Sequence, residues 1–274
     1  MRAAAARASR PRKAPMTEPT SPLDGGRVAT EIRDGVATVR FHHPKGNSLP
    51  GSLLRAIATE VEGAGRNADA RVIVLRSDGT GPFCAGASFD ELRAIRDVPS
   101  GKEFFMGFAR LILAMRRAPK FVLARVHGKT VGGGVGVVAA SDYAIATSNA
   151  AVKLSELAVG IGPFVVGPVI ERKIGPAAFQ ALAIDATEWR EAEWAGRVGL
   201  YAQVVPDAIA LDASVDALAK RLAASNPEAM AKMKAVFFRD TDDWDTLLAE
   251  RAGMSGTLVL SDFTRSALAA FAAR

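Results

Sequence analysis

Hydrophobic and polar residues change rhythm several times along this chain, and each change marks an element. Val28 to Ile32 and Val36 to Phe41 alternate or run β-branched around Asp34-Gly35, which predicts a two-residue β-hairpin. His43 to Ser48 reads as a loop, and Leu53 to Val61 has helical spacing. Val72 to Leu75 is a short apolar run expected to form a buried strand, followed by a turn at Asp78-Gly79-Thr80-Gly81-Pro82. Small residues from Ala85 lead into a helix around Glu91-Leu92, and Phe105 to Met115 is an amphipathic helix. Phe121 to Val126, Tyr143 to Ala146, Ala151 to Leu154 and Leu200 to Val204 are expected strands. The remainder is helical in pattern, over residues 165–174, 176–184, 189–197, 209–224, 227–237 and 243–273. Strands interleaved with helices, then helices alone, predict an α/β core over residues 26–205 and a helical C-terminal region over 206–274.

Between the strand ending at Val126 and the apolar run Val137 to Ala140 stand Val131-Gly132-Gly133-Gly134-Val135-Gly136. Strand, glycine turn, helix is the natural reading. Glycines admit φ > 0 and close approach to the main chain, and the first N–H groups of the helix have no intrahelical partner. They point at whatever negative charge occupies the turn, so the stretch reads as an anion cradle. A tight turn that needs small residues for packing accounts for the glycines equally well.

Composition narrows the class. The 274 residues are 49% hydrophobic, enough for a core, and no apolar run approaches the ~18 residues that span a bilayer. One cysteine, Cys84, excludes an internal disulfide, and the three histidines lack metal-ligand spacing, so neither a metal nor a separate cofactor is expected. Cytoplasmic residence fits this usage. The net charge of +6 suggests nucleic acid until its location is considered, because Arg2, Arg7, Arg10, Arg12 and Lys13 supply five of the six charges. Residues 1–25 therefore read as a disordered basic extension, or as the consequence of a start assigned upstream of Met16, with Pro11 and Pro15 shortening any presequence helix. The body carries no excess charge for specific nucleic-acid binding.

Several motifs fail. Gly128-Lys129-Thr130 lacks the upstream glycine of a phosphate-binding P-loop, where Leu123 stands, and no Gly-x-Ser-x-Gly elbow exists. Cys84 reads as a small buried residue. Gly134-x-Gly136-x-x-Ala139 does satisfy a dinucleotide fingerprint, with Glu156 at the distance of a ribose-binding acid. An NAD-dependent Rossmann enzyme is thus a second hypothesis, although the segment from Val131 to Glu156 is short for a normal crossover.

Three pieces in order change the picture: Phe83-Cys84-Ala85-Gly86-Ala87-Ser88-Phe89-Asp90, then Val126-His127-Gly128 with Val131 to Gly134, then Ser141-Asp142 and Leu154-Ser155-Glu156 before a Gly/Pro loop. Over about residues 27–274 the chain resembles the enoyl-CoA hydratase/isomerase (crotonase) superfamily. That resemblance implies a spiral of ββα units with a helical C-terminal trimerisation region, assembly as a homotrimer or hexamer, and an acyl-CoA substrate whose coenzyme A is part of the substrate itself. It implies Ala87 and Gly133 as main-chain donors to an enolate oxygen and Glu156 as the acid/base. Ala85, Ser88, Phe89 and Asp90 would line the CoA nucleotide, with Lys45 and Lys234 as partners for its 3′-phosphate and acyl-pocket residues around 93–117. Hydratases of the family carry a second glutamate, and its position here is Gly136. One carboxylate suffices to move a double bond, so Δ3-Δ2 enoyl-CoA isomerisation is expected ahead of hydration. A CoA-ester-binding protein with little catalysis is a third reading.

Overall fold

In a computed structural model, residues 24–272 are described; the basic stretch Arg2 to Lys13 lies outside them. The chain enters on β1 (Arg27–Arg33), which pairs antiparallel with β2 (Val36–His42). Asp34 (φ 52°) and Gly35 (φ 81°) both take the left-handed region, the conformation that lets a two-residue turn follow the twist of its strands. β3 (Val72–Ser77), β4 (Val122–Val126), β6 (Tyr143–Thr147) and β8 (Gln203–Val205) then add in parallel, giving the order β1-β2-β3-β4-β6-β8. A second sheet contains only β5 (Thr130–Val131) and β7 (Val152–Lys153).

The central strands are covered on both faces. Ala37, Val39, Phe41, Ile73, Leu75, Ala124 and Ala146 face the main core with α1 (Gly51–Arg66), α3 (Val98–Arg117) and α4 (Gly133–Ala140). Val72, Val74, Leu123 and Ile145 pack under α8 (Ala208–Ala223) through Leu211, Val215 and Ala219. This explains why the middle strands read as continuous apolar runs rather than alternating ones. α2 (Phe89–Ala94) starts at Ser88, whose hydroxyl accepts the Glu91 N–H. α5 (Gly167–Ile174), α6 (Pro176–Ile184), α7 (Ala192–Arg197) and α9 (Pro227–Phe237) complete the middle of the helical part.

Several boundaries differ from the sequence pattern. α3 begins seven residues before Phe105, because Asp97 and Ser100 form a reciprocal capping box with Pro99 in the first turn. The single helix expected over 243–273 is two, α10 (Trp244–Leu258) and α11 (Asp262–Ala272). Ser261 divides them by taking the Thr264 N–H on its hydroxyl (3.3 Å). The strand expected at Leu200 to Val204 lies at Gln203–Val205, and Tyr201 instead anchors the turn by donating its hydroxyl to the Ala150 carbonyl (2.8 Å).

Candidate active site

The small sheet gathers the site. The Val131 N–H donates to the Cys84 carbonyl (2.9 Å), while Gly132 N–H donates to the Lys153 carbonyl (2.8 Å). The segment carrying Ala87, the turn carrying Gly133 and the segment leading to Glu156 are thereby stitched side by side, although they lie far apart in sequence. Gly132 takes φ 54° and ψ −127°, which turns the chain from β5 into α4. Gly133 is then the first helical residue, so its N–H has no intrahelical acceptor. Neither the Ala87 nor the Gly133 N–H donates to another group among the described residues.

Both donors border one cavity. Its walls include Ala85, Ala87, Phe89, Phe105, Phe108, Phe164 and Val166, and its titratable side chain is Glu156. The carboxylate lies against the glycine turn: a Cβ on Gly132 would sit 3.3 Å from Glu156 Oε1. Glu156 Oε2 is buried without a hydrogen-bond partner among the described residues. Burial in this apolar surrounding pushes the Glu156 carboxyl up to about 7, opposed only by its own main-chain N–H. A carboxyl group poised near neutrality can both accept and return a proton.

Close packing explains the glycines. A Cβ on Gly133 would fall 2.3 Å from the Phe108 ring, one on Gly134 would meet Cys84 at 2.8 Å, and one on Gly136 would meet Val166 Cβ and Cγ1 at 2.5 Å. Two uses of these glycines, packing and a free donor, therefore coexist in one turn. Cys84 is fully buried, and desolvation pushes its thiol up to about 12, which leaves it an inert packing residue.

The other residues singled out from sequence divide. Ala85 and Phe89 line the cavity. Ser88 is buried and spends its hydroxyl capping α2. Lys45 pairs with Asp90 at the exposed rim beside this segment, and Arg93 shares the same carboxylate (2.6 Å). Lys234 does not belong to the site: it is buried, reaching Asp142 Oδ2 at 2.9 Å and the Met115 carbonyl at 2.7 Å. It ties α9 to the end of α3 and to the loop before β6, so no phosphate can reach it. Phe105 and Phe108 fall within the stretch expected to hold pocket residues. Val166 and Ser255, which also line the cavity, carry no sequence signal of their own.

Two unspent N–H donors and one neutral-range carboxyl border a single apolar-lined cavity, an arrangement able to hold a carbonyl oxygen on which negative charge develops. The whole-chain comparisons agree with that class. The family model for enoyl-CoA hydratase/isomerase matches residues 31–272, and the chain belongs to that family. The chain is similar to a short-chain-enoyl-CoA hydratase from Clostridium acetobutylicum, 26% identical over 247 residues, covering 89% of this chain and 94% of that protein. It is 33% identical over 132 residues (48% of this chain) to a (7aS)-7a-methyl-1,5-dioxo-2,3,5,6,7,7a-hexahydro-1H-indene-carboxyl-CoA hydrolase from Rhodococcus jostii. The chain spans 51% of that hydrolase and 65% of its Mycobacterium tuberculosis counterpart. Among solved structures, an enoyl-CoA hydratase from Mycobacterium avium subsp. paratuberculosis superposes with a TM-score of 0.80 at 26% identity, covering 92% of this chain and 97% of that one. The fold is therefore the crotonase spiral with its C-terminal helices, and the dinucleotide reading falls: Glu156 lies inside the cavity against Gly132 rather than at a ribose position outside a strand end.

Proposed function

We propose that the chain moves the double bond of a 3-enoyl-CoA to the 2-position through a thioester enolate, with Glu156 as the one proton carrier. The thioester oxygen sits between the Ala87 and Gly133 N–H groups. Glu156 removes a proton from C2, and the freed electron pair spreads to the thioester oxygen and C4. The same carboxyl group then returns the proton at C4, so no atom is gained or lost. The two donors stabilise charge that exists only during the reaction, and the positive end of α4 adds to them. Lys45, exposed and paired with Asp90 next to Phe89, is the candidate partner for a CoA phosphate, which would compete with that carboxylate.

The observation that carries this reading is at Gly136. The direction in which a second carboxylate would grow is filled by Val166 at 2.5 Å, which supports a reading with one acid. Water addition needs one group to activate water and another to manage the α-proton. Hydration is nonetheless a second reading, favoured by the names of similar proteins such as the Clostridium acetobutylicum hydratase. Converting 3-enoyl-CoA and 2-enoyl-CoA of equal chain length side by side separates them. Faster turnover of the 3-enoyl ester supports isomerisation, and faster water addition to the 2-enoyl ester refutes it. Solvent-deuterium exchange at C2 of a saturated acyl-CoA tests the enolate itself, since a mere CoA-ester binder exchanges nothing.

A further inference from the structure

The C-terminal helices contribute one residue to the cavity lining, Ser255 of α10. Its presence there follows from a close helix crossing. Gly101 of α3 and Gly256 of α10 meet almost backbone to backbone, a Cβ on Gly101 falling 2.9 Å from Gly256 Cα. Only at that separation does the residue before Gly256 arrive in the wall that α3 shapes with Phe105 and Phe108.

Ser255 is 1% exposed, and what remains open of it faces the cavity. A serine inside a helix ordinarily returns its hydroxyl to the carbonyl four residues back, as Thr257 does to Gly253 (3.1 Å). Ser255 makes no such bond, nor any other through its hydroxyl among the described residues, although its own carbonyl is used by Val259 N–H (3.0 Å). The hydroxyl opens on the cavity, so a ligand that enters displaces water from it and must replace the hydrogen bond that water made. Apart from Ser155 and Glu156 beside the glycine turn, the side chains lining the cavity are aromatic or aliphatic, among them Phe89, Leu92, Phe105, Phe108 and Phe164.

Resting on the acyl-CoA reading above, we propose that Ser255 is a specificity-determining residue that binds an oxygen substituent on the acyl group. The preferred substrate class is then an acyl-CoA bearing a keto or hydroxyl oxygen beyond C4, clear of the carbons between which the double bond moves, not a plain alkyl ester. A site built around one polar group discriminates through it, because the unsubstituted analogue leaves the hydroxyl unpaired.

The test is titration calorimetry on the full chain with hexanoyl-CoA, 5-oxohexanoyl-CoA and 6-hydroxyhexanoyl-CoA. At least one oxygenated ester is expected to bind about 3- to 10-fold tighter than hexanoyl-CoA, the worth of one neutral hydrogen bond. Ser255→Ala should erase that preference, with hexanoyl-CoA bound at least as tightly as by the unaltered protein because no hydroxyl is then left unpaired. Ser255→Cys, which keeps the volume with a weak donor, should lose most of it and guards against a folding defect in the alanine variant. Equal binding of all three esters by the unaltered protein, or a preference that survives in both variants, overturns the role of Ser255 while leaving the acyl-CoA reading intact. Failure of every acyl-CoA to bind overturns the acyl-CoA reading itself.

Discussion

At Glu156 a single environment sets both chemistry and stability. Moving its carboxyl from an ordinary 4.5 to about 7 means that the folded chain holds a proton which the unfolded chain has released between those pH values. Folding stability from this group is therefore fully present below about pH 4.5 and falls as pH rises through about 7, by about 3 kcal/mol in all. Glu156→Gln removes the ionisation, so the variant should gain up to that amount over the parent above pH 7.5 and nothing near pH 4. Denaturant melts at both pH values check the sign. Turnover should respond in the opposite sense. The base works ionised, so kcat/KM should climb through about pH 7, and the glutamine variant should lose ~10² to 10⁴ in kcat with CoA-ester binding retained. A glutamine variant that keeps its rate would transfer the proton chemistry to another group. The family resemblance nominated Glu156, which in isolation reads as a solvated surface acid, and its titration was not legible because the walls that desolvate it come from α2, α3 and the segment 159–166.

Between elements, α4 packs so closely on the segment entering α5 that a Cβ on Gly136 would meet Val166 at 2.5 Å. Gly136 alone suggests a missing group that could be restored, and only Val166 across from it shows that the space is occupied. Gly136→Glu by itself should cost stability by overpacking, on the order of 1 to 3 kcal/mol, without gaining hydration. Paired with Val166→Gly it should recover part of that loss and raise water addition to 2-enoyl-CoA relative to isomerisation. Hydration that rises in the single variant would mean that Val166 yields easily and that the pair is no barrier. Local signals were readable in sequence wherever the chain answers to its neighbours: the Asp34-Gly35 hairpin, the strand-turn-helix at Gly132, the amphipathic face of α3. The two-residue strand β5 was not, since so short a run has no period; β7 falls inside the strand expected at Ala151 to Leu154, but its pairing with β5, which aligns Ala87, Gly133 and Glu156, carries no local signal. Lys234 failed for the same reason. An exposed and a buried lysine look alike until Asp142 and the Met115 carbonyl are brought beside it.

For the molecule as a whole, the choice between a CoA ester and a dinucleotide has a thermodynamic readout that needs no turnover. Anything bound by the folded chain alone raises its stability by RT ln(1 + [L]/Kd), about 2.7 kcal/mol at a hundredfold excess over Kd. For a body of this size that amounts to roughly 5 to 10 °C in Tm. Short-chain acyl-CoA should produce such a shift and NADH none, and the result should be unchanged when residues 1–15 are deleted. Those residues hold five of the six net positive charges, so any affinity for nucleic acid should vanish with them and weaken steeply with salt beforehand. The measurement also bears on assembly. Ile184 (73% exposed), Ile209 (83%) and Phe263 (67%) leave large apolar side chains uncovered, which suits the homotrimer or hexamer that the family resemblance implies. Sedimentation equilibrium beside the melts should return a trimer or its double, with a Tm that rises with protein concentration. A monomer stabilised by NADH and indifferent to acyl-CoA would leave the fold standing and remove both the substrate class and the assembly.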